Sequence, residues 1–345
     1  MKKLRVLILM REDVVPPESA DDMTKKEKER APWKAEYDVR TGLEALGHEV
    51  RALGLSDDLG LLRRAIEEWD PQITFNLLEE FHNVATYDQH VVAYLELLRK
   101  AYTGCNPTGL MLARDKALSK KILSYHRILV PDFGVFPLKR AVKRPKRLKL
   151  PLIVKSVNEE GSAGISQASL VETDEKLAER VEFIHEHIGT DAIAEEFIEG
   201  RELYVGVLGN DRLQTFPTWE IYFDKMPEDA VRIATAKVKW DQEYQKRHGI
   251  KSGPAAELPS GAEEKILRIC KRVYRTLTLS GYARMDLRLS PDGRVYVLEA
   301  NPNPNLESED DFAEAAKKGG IDYQQLLARI LAHGLAYVPP WKIWS

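Results

Sequence analysis

Cysteine is nearly absent from this chain. Only Cys105 and Cys270 occur in 345 residues, in neither CxxC nor Cys/His spacing, so neither a disulfide framework nor a structural zinc site is expected. No run approaches the ~20 apolar residues needed to cross a bilayer. The apolar stretch at residues 4–10 is interrupted by Arg5 and ended by Arg11, Glu12 and Asp13, which makes it a buried strand and not an export signal. The expected compartment is the cytoplasm. An excess of one charge is missing too: 51 basic against 54 acidic residues leave −3, with no overall field to hold nucleic acid or an anionic membrane. A GxxxxGK[ST] loop and a GxGxxG opening a helix are both lacking, which disfavours P-loop and Rossmann nucleotide binding. There is no internal repeat. What remains, 43% hydrophobic and 30% charged residues, is the mixture of a soluble globular protein long enough for two or three modules.

The first hundred residues alternate strand-like and helix-like segments. Residues 4–10, 49–53 and 73–77 read as strands, and 35–46, 59–69 and 87–100 as helices, an order that implies a parallel sheet with crossover helices. Ligands collect at the carboxyl edge of such sheets, placing residues 11–13 and 79–83 near a mouth. After Tyr102-Thr103-Gly104 the order becomes mixed, as in α+β domains. Helices are expected at 114–125, 175–187, 263–277 and 322–335, and a polar loop at 226–260. Residues 139–149 carry seven basic side chains. They read as a solvated connection between strands, with an acidic-partner patch as the alternative.

The most informative stretch is a hairpin. Residues 281–289 and 294–301 alternate around Ser290-Pro291-Asp292-Gly293. A four-residue loop pairs Leu289 with Arg294, Met285 with Leu298 and Arg284 with Glu299. Period-two alternation then puts Met285, Leu287, Tyr296, Leu298 and Ala300 on a core face. Arg284, Asp286, Arg288, Val297, Glu299 and Asn301 share the other face, with Asp286 and Glu299 diagonal neighbours. Oxygen ligands from Asp, Glu and the Asn amide suit a hard cation such as Mg²⁺, which shares its shell with substrate phosphates. A solvated face laced with salt bridges is the plainer explanation of the same pattern.

Such a metal asks for a polyphosphate. A candidate holder is the strand at 151–155, ending in Lys155 and followed by a loop in which Gly161 and Gly164 let backbone N–H groups approach phosphate oxygens. Further on, residues 194–202 join two strands and can offer backbone groups to an adenine edge and the Glu202 carboxylate to a ribose. Each segment alone also fits an ordinary surface connection.

Together, Tyr102-Thr103-Gly104 with Arg114-Asp115-Lys116, Ile153-Val154-Lys155 with its loop, the 195–202 linker, and Arg284-x-Asp286 with Glu299-x-Asn301 resemble the ATP-grasp superfamily, and within it the D-alanine–D-alanine ligase-like enzymes. The resemblance covers residues 73–305. It implies an ATP-grasp fold, mixing α/β and α+β parts, with an N-terminal Rossmann-like domain at 1–103, a central subdomain at 104–200 and a metal-holding C-terminal subdomain at 201–345. It implies that Lys116 and Lys155 contact ATP phosphates, beneath a loop containing Gly161 and Ser162. Glu195, Glu196 and Ile198 would meet adenine and Glu202 the ribose. Asp286, Glu299 and Asn301 would hold two Mg²⁺ ions, sites that Mn²⁺ also fits. Arg284 would stabilise the reacting phosphoryl group, and Lys239 would reach the γ-phosphate. The implied activity is ADP-forming joining of a small-molecule carboxylate to an amine through an acyl phosphate, without a protein nucleophile. A homodimer is compatible with this reading. A phosphotransferase, or a nucleotide-binding protein without turnover, would use the same site.

The departures from the family concern the substrates. The pattern's Pro-Gly pair and nearby serine read Pro304-Asn305 and Asp310 here, its loop-orienting tyrosine reads Trp240, and its Leu-His-Gly turn reads Leu78-Glu79-Glu80-Phe81-His82. Asp310 would repel a free carboxylate. The expectation is a second substrate other than D-alanine, with Glu79, Glu80, His82, Asn305 and Asp310 near it, favouring an amine-bearing or cationic acceptor. Residues 308–311 also read as a helix N-terminus, where acids complement the dipole.

Overall fold

The computed structural model describes residues 2–20, 22–159, 165–227 and 232–343. Its N-terminal part is a parallel sheet of β1 (Arg5–Arg11), β2 (Glu49–Leu55) and β3 (Ile73–Asn76), ordered β2-β1-β3. The short α1 (Lys25–Lys28) and the crossover helices α2 (Lys34–Ala45) and α3 (Leu59–Trp69) connect these strands, as the alternating pattern predicts. Asp58 caps α3 by accepting from the Gly60 N–H at 2.7 Å. The next helix, α4 (Asp88–Leu97), leads to a parallel bridge between Thr74 and Tyr102 that extends the sheet edge.

The helix expected over 114–125 is α6 (Lys116–Tyr125), and a separate helix, α5 (Pro107–Arg114), comes directly before it. Asp115 leaves helical geometry between them and caps α6 through the Leu118 N–H at 2.8 Å. A second, antiparallel sheet follows, with β4 (Phe133–Phe136), β5 (Leu152–Ser156), β6 (Leu170–Val171) and β7 (Ala192–Glu196) in the order β4-β7-β5-β6. It is covered by α7 (Asp174–His187), whose Leu177, Val181 and Ile184 meet Leu152, Val154 and Ala194. The basic segment is the β4–β5 connection. Arg144 bonds Asp174 at 2.5 Å, and Arg147 donates to the Phe133 carbonyl at 3.1 Å.

The third sheet is antiparallel and ordered β11-β10-β8-β12-β13. It comprises β8 (Arg201–Leu208), β10 (Trp219–Phe223), β11 (Ile250–Pro254), β12 (Tyr282–Leu289) and β13 (Val295–Pro302), with β9 (Gln214–Thr215) paired to β8. The polar loop expected at 226–260 is not a plain loop: it contains α8 (Ala236–Trp240), α9 (Gln242–His248) and β11. Thr235 and Asp241 each cap the helix that follows, signals too short for a hydrophobic period to reveal. On one face of the third sheet lies α10 (Ala262–Thr276), where Ile266, Cys270, Val273 and Tyr274 pack with Val205, Val207, Met285 and Leu287. Both cysteines are buried there and free. The closing helices are α11 (Asp311–Lys318), α12 (Tyr323–Ala336) and α13 (Pro340–Ile343). In α12, Leu326, Leu327, Ile330 and Leu331 cluster with Val6, Ile8, Val39 and Ile73, so the C-terminal helix completes the core of the N-terminal sheet.

Candidate functional site

The β12–β13 hairpin corrects its expected register twice. Its loop is shorter than four residues, because Ser290 pairs with Arg294 across Pro291-Asp292-Gly293 (Ser290 N–H to Arg294 O, 2.9 Å) with Gly293 at φ 77°. This is the three-residue connection that needs a left-handed last residue. It pairs Leu289 with Val295 and Leu287 with Val297, so Val297 faces the core and Tyr296 lies opposite Arg288. A bulge then inserts Leu298, and beyond it Asp286 faces Glu299, Met285 faces Ala300 and Arg284 faces Asn301. Each one-residue slip reverses the faces, and two slips restore them. The expected polar set Arg284, Asp286, Glu299 and Asn301 is therefore on one face after all, with the two carboxylates directly opposite.

That face is a row of alternating charge. Arg284 holds both Asp286 oxygens, at 2.8 and 3.0 Å, and lies over the Tyr204 ring with its guanidinium carbon 5.0 Å from the centroid. The Tyr204 hydroxyl donates to Glu202 at 3.0 Å, and Arg288 donates to the other Glu202 oxygen at 2.8 Å. Asp286 holds the Arg284 guanidinium firmly protonated against the opposing effect of burial. Glu299 pairs with Lys116 at 2.8 Å. Burial opposes its ionisation, but Lys116 and Lys155 outweigh that and bring its carboxyl down to about 2. The Asn301 amide nitrogen is buried with no hydrogen-bond partner among the described residues.

Glu195 lies within β7, ahead of the turn that leads to β8, and is paired with Ile153 and Phe133 across the sheet. Its buried carboxylate lies between Lys155 at 3.1 Å and Lys120 at 3.4 Å, at the edge of a cavity that Glu196, Ile198 and Glu202 also line. Burial works against its charge, and the two lysines more than compensate, leaving its carboxyl below the usual range. Burial also opposes the charge on Lys155, but Glu195 and Glu299 raise it on balance. For Lys120 burial prevails and lowers it.

Two cavities meet at Glu299 and Lys239. The smaller, about 60 Å³, is lined by Lys155, Glu195, Glu196, Ile198, Glu202 and Asp286 among others. The larger, about 490 Å³, falls within the range of small-molecule pockets. Its walls include Glu79, Glu80, Arg284, Asn301, Asn305 and Asp310. Lys116 reaches this junction through Glu299. His82 is not brought in: its backbone, at φ 57°, donates to the Ser56 carbonyl at 2.7 Å, and its ring packs edge-on against Phe81. Gly161 and Ser162 lie outside the described residues, as does the Trp240 side chain. Asp310 combines both expected roles, lining the cavity and capping α11 through the Asp311 N–H at 2.8 Å. Arg11, Glu12 and Asp13 do form a mouth with Glu80, as the sheet rule predicts.

The sequence reading missed Lys120, Tyr204 and Asp311. Asp311 lines the larger cavity and accepts from Trp219 Nε1 at 3.0 Å, and burial pushes its carboxyl up. The available signal for Lys120 was its position four residues after Lys116, on the same helical face.

Asp286, Glu299 and Asn301 supply hard oxygen donors on adjoining strands, and the Asn301 Nδ2, a donor with no partner among the described residues, is left for an acceptor such as a phosphate oxygen. This set fits Mg²⁺ on condition that phosphate oxygens and water complete the shell, since no group of three or more His, Cys, Asp or Glu converges among the described residues.

A family model described as the D-ala D-ala ligase C-terminus matches residues 124–332. An uncharacterized protein of Sinorhizobium fredii is 30% identical over 85% of this chain and 85% of its own length. A D-alanine–D-alanine ligase of Desulforudis audaxviator is 29% identical over 85% of this chain and 90% of its own. Among solved structures, the D-alanine–D-alanine ligase from Bacillus anthracis complexed with ATP superposes with a TM-score of 0.73 at 21% identity, covering 96% of this chain and 98% of that one.

Proposed function

Because the chain belongs to the D-alanine–D-alanine ligase family, with its ATP-grasp fold, we propose that it is an ATP-dependent, ADP-forming ligase joining a carboxylate to an amine. The supporting observation is the junction of the two cavities, where Lys116, Lys155 and Lys239 meet the acidic face of the hairpin. In this reading the adenosine enters at the smaller cavity, which has to widen beyond its present volume to take it, with Glu196, Ile198 and Glu202 about it. The phosphates extend past Lys155 toward Lys116 and Lys239. Asp286, Glu299 and Asn301 would hold Mg²⁺, which offsets phosphate charge.

A substrate carboxylate oxygen attacks the γ-phosphorus, and the bond to ADP breaks to leave an acyl phosphate. The amine nitrogen then attacks the acyl carbon, phosphate leaves, and the amine proton passes to solvent. Arg284, held in place by Asp286 and Tyr204, presents positive charge where the transferring oxygens gather, and the cavity walls position both partners.

The second substrate is other than D-alanine. Asp310 and Asp311 border the larger cavity without an ion pair among the described residues, and Asn305 occupies its wall, so an acceptor carrying an extra positive group fits better than one with a free carboxylate. In this reading the chain divides near residues 103 and 200, acts on small amino-acid-like molecules in the cytoplasm and pairs with a second copy. ADP release across pairs of amino acids, short peptides and diamines tests it, with hydroxylamine to trap the acyl phosphate. Turnover with two D-alanines alone would remove the cationic acceptor, and ADP release that never yields a hydroxamate would remove the ligase.

A further inference from the structure

We propose that Lys120 is a positioning residue for the nucleotide: the counterion that keeps Glu195 neutralised when Lys155 turns to a phosphate. The inference rests on the ATP-dependent reading above. Lys120 follows Lys116 by one helical turn of α6, and both ammonium groups point between the second and third sheets. Lys116 takes the Glu299 side chain, and Lys120 takes the backbone oxygen of the preceding residue, Leu298, at 2.7 Å. Leu298 is the extra residue of the bulge, so one face of one helix grips the feature that sets Glu299 and Asn301 on the working face.

On its other side Lys120 approaches Glu195 Oε1 at 3.4 Å, too poorly aligned for a hydrogen bond, while Lys155 holds Oε2 at 3.1 Å. Lys120 is 1% exposed and Glu195 2%, so neither can turn to solvent for a substitute partner. One buried carboxylate thus has two lysines, and only Lys155 lines the nucleotide cavity. With both present, one positive charge is in excess and Lys155 is free to serve a phosphate. With Lys120 gone, a phosphate would have to strip Lys155 from a buried carboxylate that has no other cation, and an uncompensated buried charge is strongly disfavoured. Lys120 touches neither cavity and acts through Glu195 and Lys155.

Titration calorimetry with Mg²⁺ and the non-hydrolysable β,γ-imido analogue of ATP, beside adenosine, tests this on the wild type, Lys120→Met, Glu195→Gln and the double variant. Lys120→Met is expected to weaken the triphosphate by about tenfold or more, equivalent to 1.4 kcal/mol, while adenosine affinity holds. The double variant is expected to recover the triphosphate affinity, because the carboxylate that captured Lys155 has lost its charge; a purely structural lysine would show no such rescue. Unchanged triphosphate binding in Lys120→Met, or a double variant as weak as the single one, overturns the proposal. Should Lys120→Met fail to fold, Glu195→Gln decides, since weakened triphosphate binding there contradicts the competition for Lys155. A wild type that takes up no triphosphate would instead sink the ligase reading itself, which separates the two failures.

Discussion

Glu299 is the side chain on which charge, register and chemistry converge. Its folded-state carboxyl, near 2, lies below its ordinary value, so ionisation stabilises the folded state above about pH 4.5, and that contribution is lost as pH falls toward 2. Glu299→Gln is expected to flatten the stability profile in that window, read by intrinsic fluorescence during acid titration. At neutral pH the same substitution is expected to lower ADP release by about 100-fold, the scale of losing one group aimed at developing charge. Glu36 behaves in the opposite sense. Its Oε2 is buried without a hydrogen-bond partner among the described residues, and burial, opposed by a backbone hydrogen bond and Arg11 and aided by Glu79 and Asp13, pushes its carboxyl up to about 7. Folding then favours the protonated form, so stability is lost as pH rises from about 4.5 through 7. Glu36→Gln is expected to raise the thermal midpoint at pH 8 by several degrees and leave it unchanged at pH 4, as a scan at both values would reveal. The sequence shows Glu299 through its spacing from Asp286; it puts Lys120 on the Lys116 face of one helix, but it does not say that Lys120 meets Glu195 or that Tyr204 meets Arg284.

Among the elements, the hairpin and the turn before β8 decide the site. Gly200 lies at φ 142°, and a β-carbon there would come within 2.1 Å of the Leu289 carbonyl oxygen. Its own carbonyl accepts from Arg288 at 3.1 Å, the arginine that holds Glu202. Gly200→Ala is therefore expected to cost about 2 kcal/mol or more, measured as a lowered urea midpoint, and to weaken nucleotide binding together with stability. Strand alternation correctly assigned the polar ends of the hairpin and misassigned its middle. The turn pattern Pro-Asp-Gly admits both a three- and a four-residue loop, and the bulge at Leu298, whose carbonyl accepts from Lys120, carries no signature in residues 295–301. The setting of Glu195 is hidden for a similar reason: nothing in residues 192–196 announces the two buried lysines that arrive from elsewhere.

At the scale of the molecule, the N-terminal sheet depends on the far end of the chain. Leu327 of α12 is fully buried against the face formed by Val6, Ile8 and Val39, and the side chain also blocks any β-carbon at Gly42, with its Cδ1 2.5 Å from where that atom would sit. Leu327→Ala is expected to destabilise by about 2–5 kcal/mol, and chemical denaturation would register the loss in the N-terminal sheet together with the C-terminal helices. A second tie runs through Gly104, at φ 90°, against Asn303, whose side-chain oxygen accepts from the Cys105 N–H at 2.8 Å. Among the described residues no helix is long and apolar enough to cross a membrane. The sequence by itself determined the parallel first sheet, the mixed order after it, and the identity of the hairpin acids, because hydrophobic period and turn residues are local properties. Only the tertiary structure decided which lysine meets which carboxylate, where the bulge falls and which sheet the last helix covers. Those outcomes depend on charges and apolar faces distant along the chain satisfying one another once water has been excluded from between them.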